Sequence, residues 1–326
     1  MEAAIQKSPA LIWFRSPAFD LLFVHGVCLL ALASGLLVAT VPSLFLVVLY
    51  LDVSCLGYQH VVATFTRIAF DVESVREHRK LLFWVPLALS VAVVSVALLA
   101  GPWAIATVYL YWQWFHYTRQ SYGISRIYER KCGRESPDQL LKILLYIVPA
   151  WGIAYRSWQS PETFLGIPLR VLPVPYWLVA LLGMVSVAVI VAWGVKTFVK
   201  GGGRAAAIHQ SYVISHLAVF LVGYLAIDSL DYGWLVINIW HNAQYVLLVW
   251  AYNTNRFRSG IDPARRLLST ISQPENWWLY FGLCLVIASA AYSMIGESTS
   301  WVESGLPVAL IVYSVINFHH YIVDGV

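Results

Sequence analysis

FDLLFVHGVCLLALASGLLVA, residues Phe19–Ala39, is apolar at nearly every position. It matches the ~20 residues a helix needs to cross a hydrocarbon core ~30 Å thick. The stretch that follows, SLFLVVLYLDVSCLGYQHVVAT (Ser43–Thr64), repeats the pattern after a short break at Pro42. Working outward, ten such ranges appear: Phe19–Ala39, Ser43–Thr64, Leu81–Ala100, Trp103–Tyr122, Leu140–Tyr155, Pro175–Val195, Ala205–Ile227, Tyr232–Asn253, Trp277–Ile295 and Pro307–Val323. Across 326 residues, 60% are apolar and 12% charged, about half the ~25% charged content of a soluble domain. A soluble globule cannot hide that much apolar surface. The sequence therefore predicts an all-α, polytopic integral membrane protein with about ten transmembrane helices in one domain, 1–326. It excludes a soluble enzyme, a secreted disulfide domain and a nucleic-acid-binding module.

Charge sets the orientation. With the N-terminus in the cytoplasm and the sides alternating, the cytoplasmic segments hold 19 of the 21 basic residues, Lys7, Arg15, Arg67 and Arg119 among them. The other side holds only Arg156 and Arg170, with Asp228, Asp231, Glu297 and Glu303. This is the positive-inside asymmetry, and it places both termini in the cytoplasm, as expected of a bacterial inner (cytoplasmic) membrane protein. Met1–Arg15 lacks the short apolar core and cleavage site of a signal peptide, so the first range is expected to remain as a span. The fifth range is the shortest. Pro149 within it and the prolines of Ser160–Pro175 predict a broken or re-entrant segment. Gly201–Gly203 reads as a short flexible connection. Cys28, Cys55, Cys132 and Cys284 are widely spaced, form no CxxC pair, and read as small apolar fillers.

An ionisable side chain inside a membrane is costly and usually faces the bundle interior with a partner. Nine histidines occur. His78 falls in a loop. His25, His60, His116, His209, His216, His241, His319 and His320 fall in or at spans, none in the outer half of the bundle. His209 and His216 are seven apart and share a face with Tyr212 between them. Interhelical hydrogen bonding explains any one of these residues. It does not explain imidazoles at similar depth on four or more spans. Imidazole is the usual ligand of Fe, Cu, Ni and Zn, whereas Mg and Ca prefer carboxylates. The expected metal ligands are His60, His116, His241, His319, His320, His209 and His216. Iron in a non-haem site is the first expectation, with Cu or Zn as alternatives. Each histidine also has an amide, hydroxyl or carboxylate within a helical turn, able to fix a ligating ring's tautomer. Asp324, one turn beyond His320, is placed to accept that ring's N–H.

The HxxxH and HxxHH boxes of membrane desaturases do not occur here; the one adjacent pair is His319-His320. Gln59-His60-Val61-Val62-Ala63-Thr64, His116-Tyr117-Thr118-Arg119-Gln120, His241-Asn242-Ala243-Gln244-Tyr245 and Phe318-His319-His320-Tyr321-Ile322-Val323-Asp324 follow one another in the order of four histidine motifs. In this the chain resembles the bacteriorhodopsin-related-protein (Brp/Blh) family of membrane β-carotene 15,15'-dioxygenases, whose motifs are PHGxxD, HFGxxD, HSRRHF and PHMxLxD. Trp250, nine residues after His241, also matches. The chain departs from the family at Thr64 and Gln120, where the first two motifs end in acids, and at Tyr245, where the third has a second histidine. The resemblance implies iron ligation by His60, His116, His241 and one of His319 and His320, and oxidative cleavage of an isoprenoid-like substrate.

The resulting expectation is a membrane-embedded, histidine-ligated metalloenzyme, a non-haem iron oxygenase of a lipophilic substrate. Tyr245 and Asp324 are its catalytic candidates, and Trp112, Phe115 and Trp240 its substrate wall. Membrane lipids and a cytoplasmic electron donor or membrane partner are expected to associate with it. Two other readings stay open: a bis-histidine haem protein for electron transfer, and a transporter whose buried histidines relay protons or bind cargo.

Overall fold

The computed structural model describes residues 11–199, 206–301 and 307–325. Lys7, Lys200, Arg204, Glu303 and the Gly201–Gly203 stretch lie outside the described residues. Each of the ten predicted ranges falls in a helix: α1 Pro17–Thr40, α2 Pro42–Thr66, α3 Lys80–Leu99, α4 Pro102–Lys131, α5 Gln139–Gln159, α6 Tyr176–Val199, α7 Ala207–Ala226, α8 Leu230–Arg256, α9 Pro274–Ile295 and α10 Val308–Val323. Among the described residues, seven of these helices are long and apolar enough to cross a membrane. The other three are α4, α8 and α10. The first two are long but more polar, and α10 is apolar but has only 16 residues. Leu29, Leu36, Leu46, Leu98, Met184 and Val286 are exposed, as lipid-facing side chains should be. The chain is an integral membrane protein built of helices. A single backbone can satisfy all its N–H and C=O groups in lipid only within helices or a closed barrel.

By internal contacts the chain divides into two compact units. One comprises Met1–Leu36, Trp114–Ser160 and Leu172–Trp240; the other comprises Leu37–Gln113, Pro161–Val171 and His241–Val326.

In the first unit, glycines let helices approach closely. A Cβ on Gly233 would lie 1.9 Å from the Gly223 carbonyl oxygen, and one on Gly152 would lie 2.7 Å from the Tyr224 ring. Membrane helices rely on such small-residue contacts because no hydrophobic driving force separates protein from lipid tails. α5 is continuous, which corrects the expectation of a break: Pro149 sits inside an unbroken 21-residue helix. A proline removes one helical donor, and neighbouring groups in a bundle can take up the slack. Here the Trp114 indole N–H donates to the Pro149 carbonyl at 2.9 Å. Arg156, one of the two basic residues assigned to the far side, is buried. Its guanidinium donates to the Gly223 carbonyl at 3.1 Å, the Asp228 carbonyl at 2.7 Å and the Ile227 carbonyl. It thus satisfies the orphan carbonyls that end α7, which explains a cation so deep in the protein. Asp20 is likewise buried. It accepts the backbone N–H groups of Phe14, Arg15 and Ser16 and, at 2.8 Å, the hydroxyl of Tyr128.

In the second unit, α10 packs against α3 and α9, and α9 against α2. Val62, Phe257, Leu268, Tyr280 and Cys284 form a core there. Thr163–Phe164 and Ile167–Pro168 make a small antiparallel hairpin. Its two turn residues, Leu165 and Gly166, both have positive φ, the requirement of a tight two-residue hairpin turn. Asp71, after α2, accepts from the Ser74 backbone and hydroxyl and pairs with Arg256 and Arg265. Burial pushes its carboxyl up, but these hydrogen bonds and guanidinium groups outweigh that and hold it below the ordinary range.

Between Gly233 and Val246 every residue of α8 is buried. A membrane helix enclosed on all sides can carry polar side chains inward, and this one carries Asn238, His241, Asn242 and Gln244. That burial is why its hydropathy falls short of a lipid-facing span.

Candidate metal centre

Three histidines converge in the second unit. The ring centroid of His60 on α2 lies 4.7 Å from that of His241 on α8 and 4.3 Å from that of His320 on α10. Both pairs meet edge to face. Nitrogens of His60, His241 and His320 lie within 4.8 Å of one another, and all three residues are buried; His116 is buried on α4 in the first unit. A metal with N bonds of ~2.0–2.1 Å holds its ligand nitrogens at most ~4.2 Å apart, so the three rings would close on a single ion with shifts of under about 1 Å. The donors are all neutral nitrogen with no thiolate, which suits Fe, Cu or Zn and not Mg or Ca.

The partners of these rings decide which nitrogens point inward. His60 Nδ1 lies 2.9 Å from Asn242 Oδ1. An amide oxygen only accepts, so the ring donates from Nδ1 and carries its lone pair on Nε2. His320 Nδ1 lies 2.8 Å from Thr64 Oγ1. The same hydroxyl lies 3.2 Å from Asp324 Oδ1 and 3.1 Å from the Tyr245 oxygen; when it gives its proton to either, the ring donates from Nδ1 and Nε2 of His320 carries the lone pair. Asp324 was expected to take the His320 ring N–H directly. Instead its Oδ2 stands 3.5 Å from Nε2, and the Thr64 hydroxyl is the hydrogen-bonding partner of Nδ1. The side chain of α2 at position 64 reaches Nδ1 before the carboxylate one turn along α10 can.

Tyr245 and Asp324, the catalytic candidates, are both here. The Tyr245 hydroxyl donates to Asp324 Oδ1 and accepts from the Arg67 guanidinium at 3.2 Å. Its ring centroid is 4.6 Å from that of His60. The pair is thus a phenol held between a carboxylate and a guanidinium, beside the imidazoles.

The other expected ligands go elsewhere. His319 bonds through Nε2 to the Leu81 carbonyl at 2.8 Å and packs on Phe65. Adjacent residues on a helix diverge by ~100°, so when His320 turns inward His319 cannot. His209 Nε2 pairs with the Ser125 hydroxyl at 2.8 Å, and His216 Nδ1 with the Ser121 hydroxyl at 2.7 Å. They act as interhelical hydrogen-bonding groups in the first unit. Of the expected substrate wall, Trp112 stacks on Phe318 with centroids 4.8 Å apart. Phe115 is 43% exposed and turns outward, and Trp240 is buried among Tyr212, His216 and Phe220. A stripe of aromatics in sequence covers several helix faces, and only some of those faces meet the histidines.

No family model, curated protein or solved structure matches this chain.

The geometry predicts the outcome of single substitutions. His60→Ala, His241→Ala and His320→Ala should each strip bound metal from the purified protein, while His319→Ala, His209→Ala and His216→Ala should retain it, as read by elemental analysis. Metal lost in His319→Ala and kept in His320→Ala would contradict this assignment.

Proposed function

We propose that this chain is a membrane-embedded metalloenzyme, a non-haem iron oxygenase of a lipophilic, isoprenoid-like substrate, in a bacterial cytoplasmic membrane. The observation that carries the reading is the convergence of His60, His241 and His320 in the second unit. Iron, as opposed to copper or zinc, is supported by the order of the four histidine motifs, which resembles the Brp/Blh dioxygenases. When bound, iron supplies the activation of dioxygen.

This chain's own residues do the rest. His60 and His320 keep neutral, oriented imidazoles through Asn242 and Thr64. Tyr245 holds a proton at its phenol oxygen against Asp324, and the Arg67 guanidinium pairs with the same carboxylate at 3.8 Å. Trp112 and Phe318 form a flat apolar wall, the kind of surface a planar polyene would lie against.

The bis-histidine haem alternative fits the spacing less well. Two imidazoles on opposite faces of one iron, with bonds of ~2.1 Å, place their ring centroids roughly 6 Å apart. The His60 pairs are 4.3 and 4.7 Å apart. Purified protein should therefore show no Soret band. Its iron-loaded form should take up dioxygen with some member of a panel of carotenoids and shorter isoprenoids, and incorporate label from ¹⁸O₂ into the product. A Soret band, or label-free product with no oxygen uptake, would overturn this function.

We propose further that all ten helices span the membrane with both termini cytoplasmic. The basis is the 19-of-21 placement of basic residues. In a cysteine-free background, Ser136→Cys should be labelled only from the cytoplasmic side and Glu162→Cys only from the opposite side. Labelling of both from one side would contradict that topology.

A further inference from the structure

Asp52 is an acidic side chain in the middle of an apolar helix, 3% exposed, and no part of the proposed chemistry uses it. A buried carboxylate is retained only with partners. One of them is Asn242, whose Nδ2 donates to Asp52 Oδ1 at 3.3 Å. The other end of that amide, Oδ1, meets His60 Nδ1 at 2.9 Å. The three side chains thus form a line: carboxylate, amide, imidazole.

The polarity of that line is fixed from the acidic end. An ionised carboxylate only accepts, so the amide must turn its NH₂ toward Asp52. That leaves its oxygen toward His60, and an oxygen there requires a proton on Nδ1. With the amide reversed, its oxygen would face the carboxylate, and its NH₂ would demand the lone pair of Nδ1, leaving Nε2 protonated. We propose that Asp52, acting through Asn242, sets the tautomer of His60 and so decides that Nε2 is the nitrogen offered at the histidine cluster. Asp52 and Asn242 are positioning residues. Their use rests on the metal reading above; their effect on the ring does not.

The backbone is shaped for this arrangement. Asp52 and His60 are eight residues apart on α2. In a regular α-helix that spacing separates two side chains by about 80°. Between them lies a π-helical turn, Val53–Gly57. A π turn holds one extra residue, which turns the following helix back by about 100° and leaves Asp52 and His60 roughly 20° apart, on one face. Gly57 completes the fit. A Cβ at that position would come within 3.3 Å of Asn242 Nδ2, closer than such contacts usually fall, so glycine leaves the amide room to lie against α2.

The test is the ¹⁵N spectrum of histidine-labelled, metal-free protein, with the His60 signal assigned by its loss in His60→Gln. The wild type should show the Nδ1–H tautomer. Asp52→Leu and Asn242→Leu should both shift population to Nε2–H and weaken metal binding ~10–100-fold, the usual effect of losing an outer partner. The double exchange Asp52→Asn with Asn242→Asp keeps both volumes and an accepting oxygen toward His60, while the bond between positions 52 and 242 reverses its donor. It should restore Nδ1–H and bring metal affinity to within a few-fold of wild type, and it serves if the leucine variants fail to fold. An Nε2–H signal in the wild type, or a double exchange that fails to restore Nδ1–H, would overturn the proposal. Wild type with the Nδ1–H ring but no metal removes the metal reading and leaves the tautomer assignment standing.

Discussion

An imidazole buried in a membrane protein has to place its N–H on an acceptor, and that acceptor has to be satisfied in turn. Around His60 and His320 each such bond crosses from one helix to another. His60 on α2 bonds Asn242 on α8, and His320 on α10 bonds Thr64 on α2. Each bond of this kind stabilises by only about 1 kcal/mol. Leaving a buried donor without a partner costs about 1–3 kcal/mol. The penalty, more than the gain, holds α2, α8 and α10 in an arrangement that gives His60 and His320 each a partner at Nδ1. The same arrangement brings nitrogens of three rings within 4.8 Å of one another, so the packing that protects the rings also builds the ligand set.

The first unit shows the same residue type under a different regime. His209 and His216 each bond a serine hydroxyl on α4 and pack among Tyr128, Tyr212 and Trp240. A hydroxyl can donate or accept, so it imposes no tautomer on the ring it meets. The amide that meets His60 leads instead to the Asp52 carboxylate, which has one polarity only. That difference, and not depth in the membrane, separates His60 from the packing histidines.

Much of the architecture was legible in the sequence because membrane crossing depends on length and apolarity, and all ten predicted ranges are helical. Pro149 misled because helix continuity at a proline depends on what neighbouring helices supply, here the Trp114 indole. His60, His116, His241 and His320 stood out by residue type and shared depth. Of the seven expected ligands three meet in the second unit, for reasons that sequence hides, namely which way adjacent residues such as His319 and His320 turn, and what a serine opposite His209 already satisfies. The amides and hydroxyls beside each histidine were visible as candidate partners. Their pairing was not: Asn242 sits next to His241 and serves His60, and Thr64 sits near His60 and serves His320. Periodicity describes one helix at a time, and these pairs exist only between helices. The π turn before His60 has no composition signature at all.

The central claim is that a metal is held by imidazole nitrogen alone. X-ray absorption at the metal edge of the purified protein tests it most directly. The account predicts an ion whose nearest shell is nitrogen at about 2.0–2.1 Å, with the multiple scattering of several imidazole rings and no sulfur. A protein that binds no metal after reconstitution, or an ion ligated by sulfur or by a porphyrin, would contradict it.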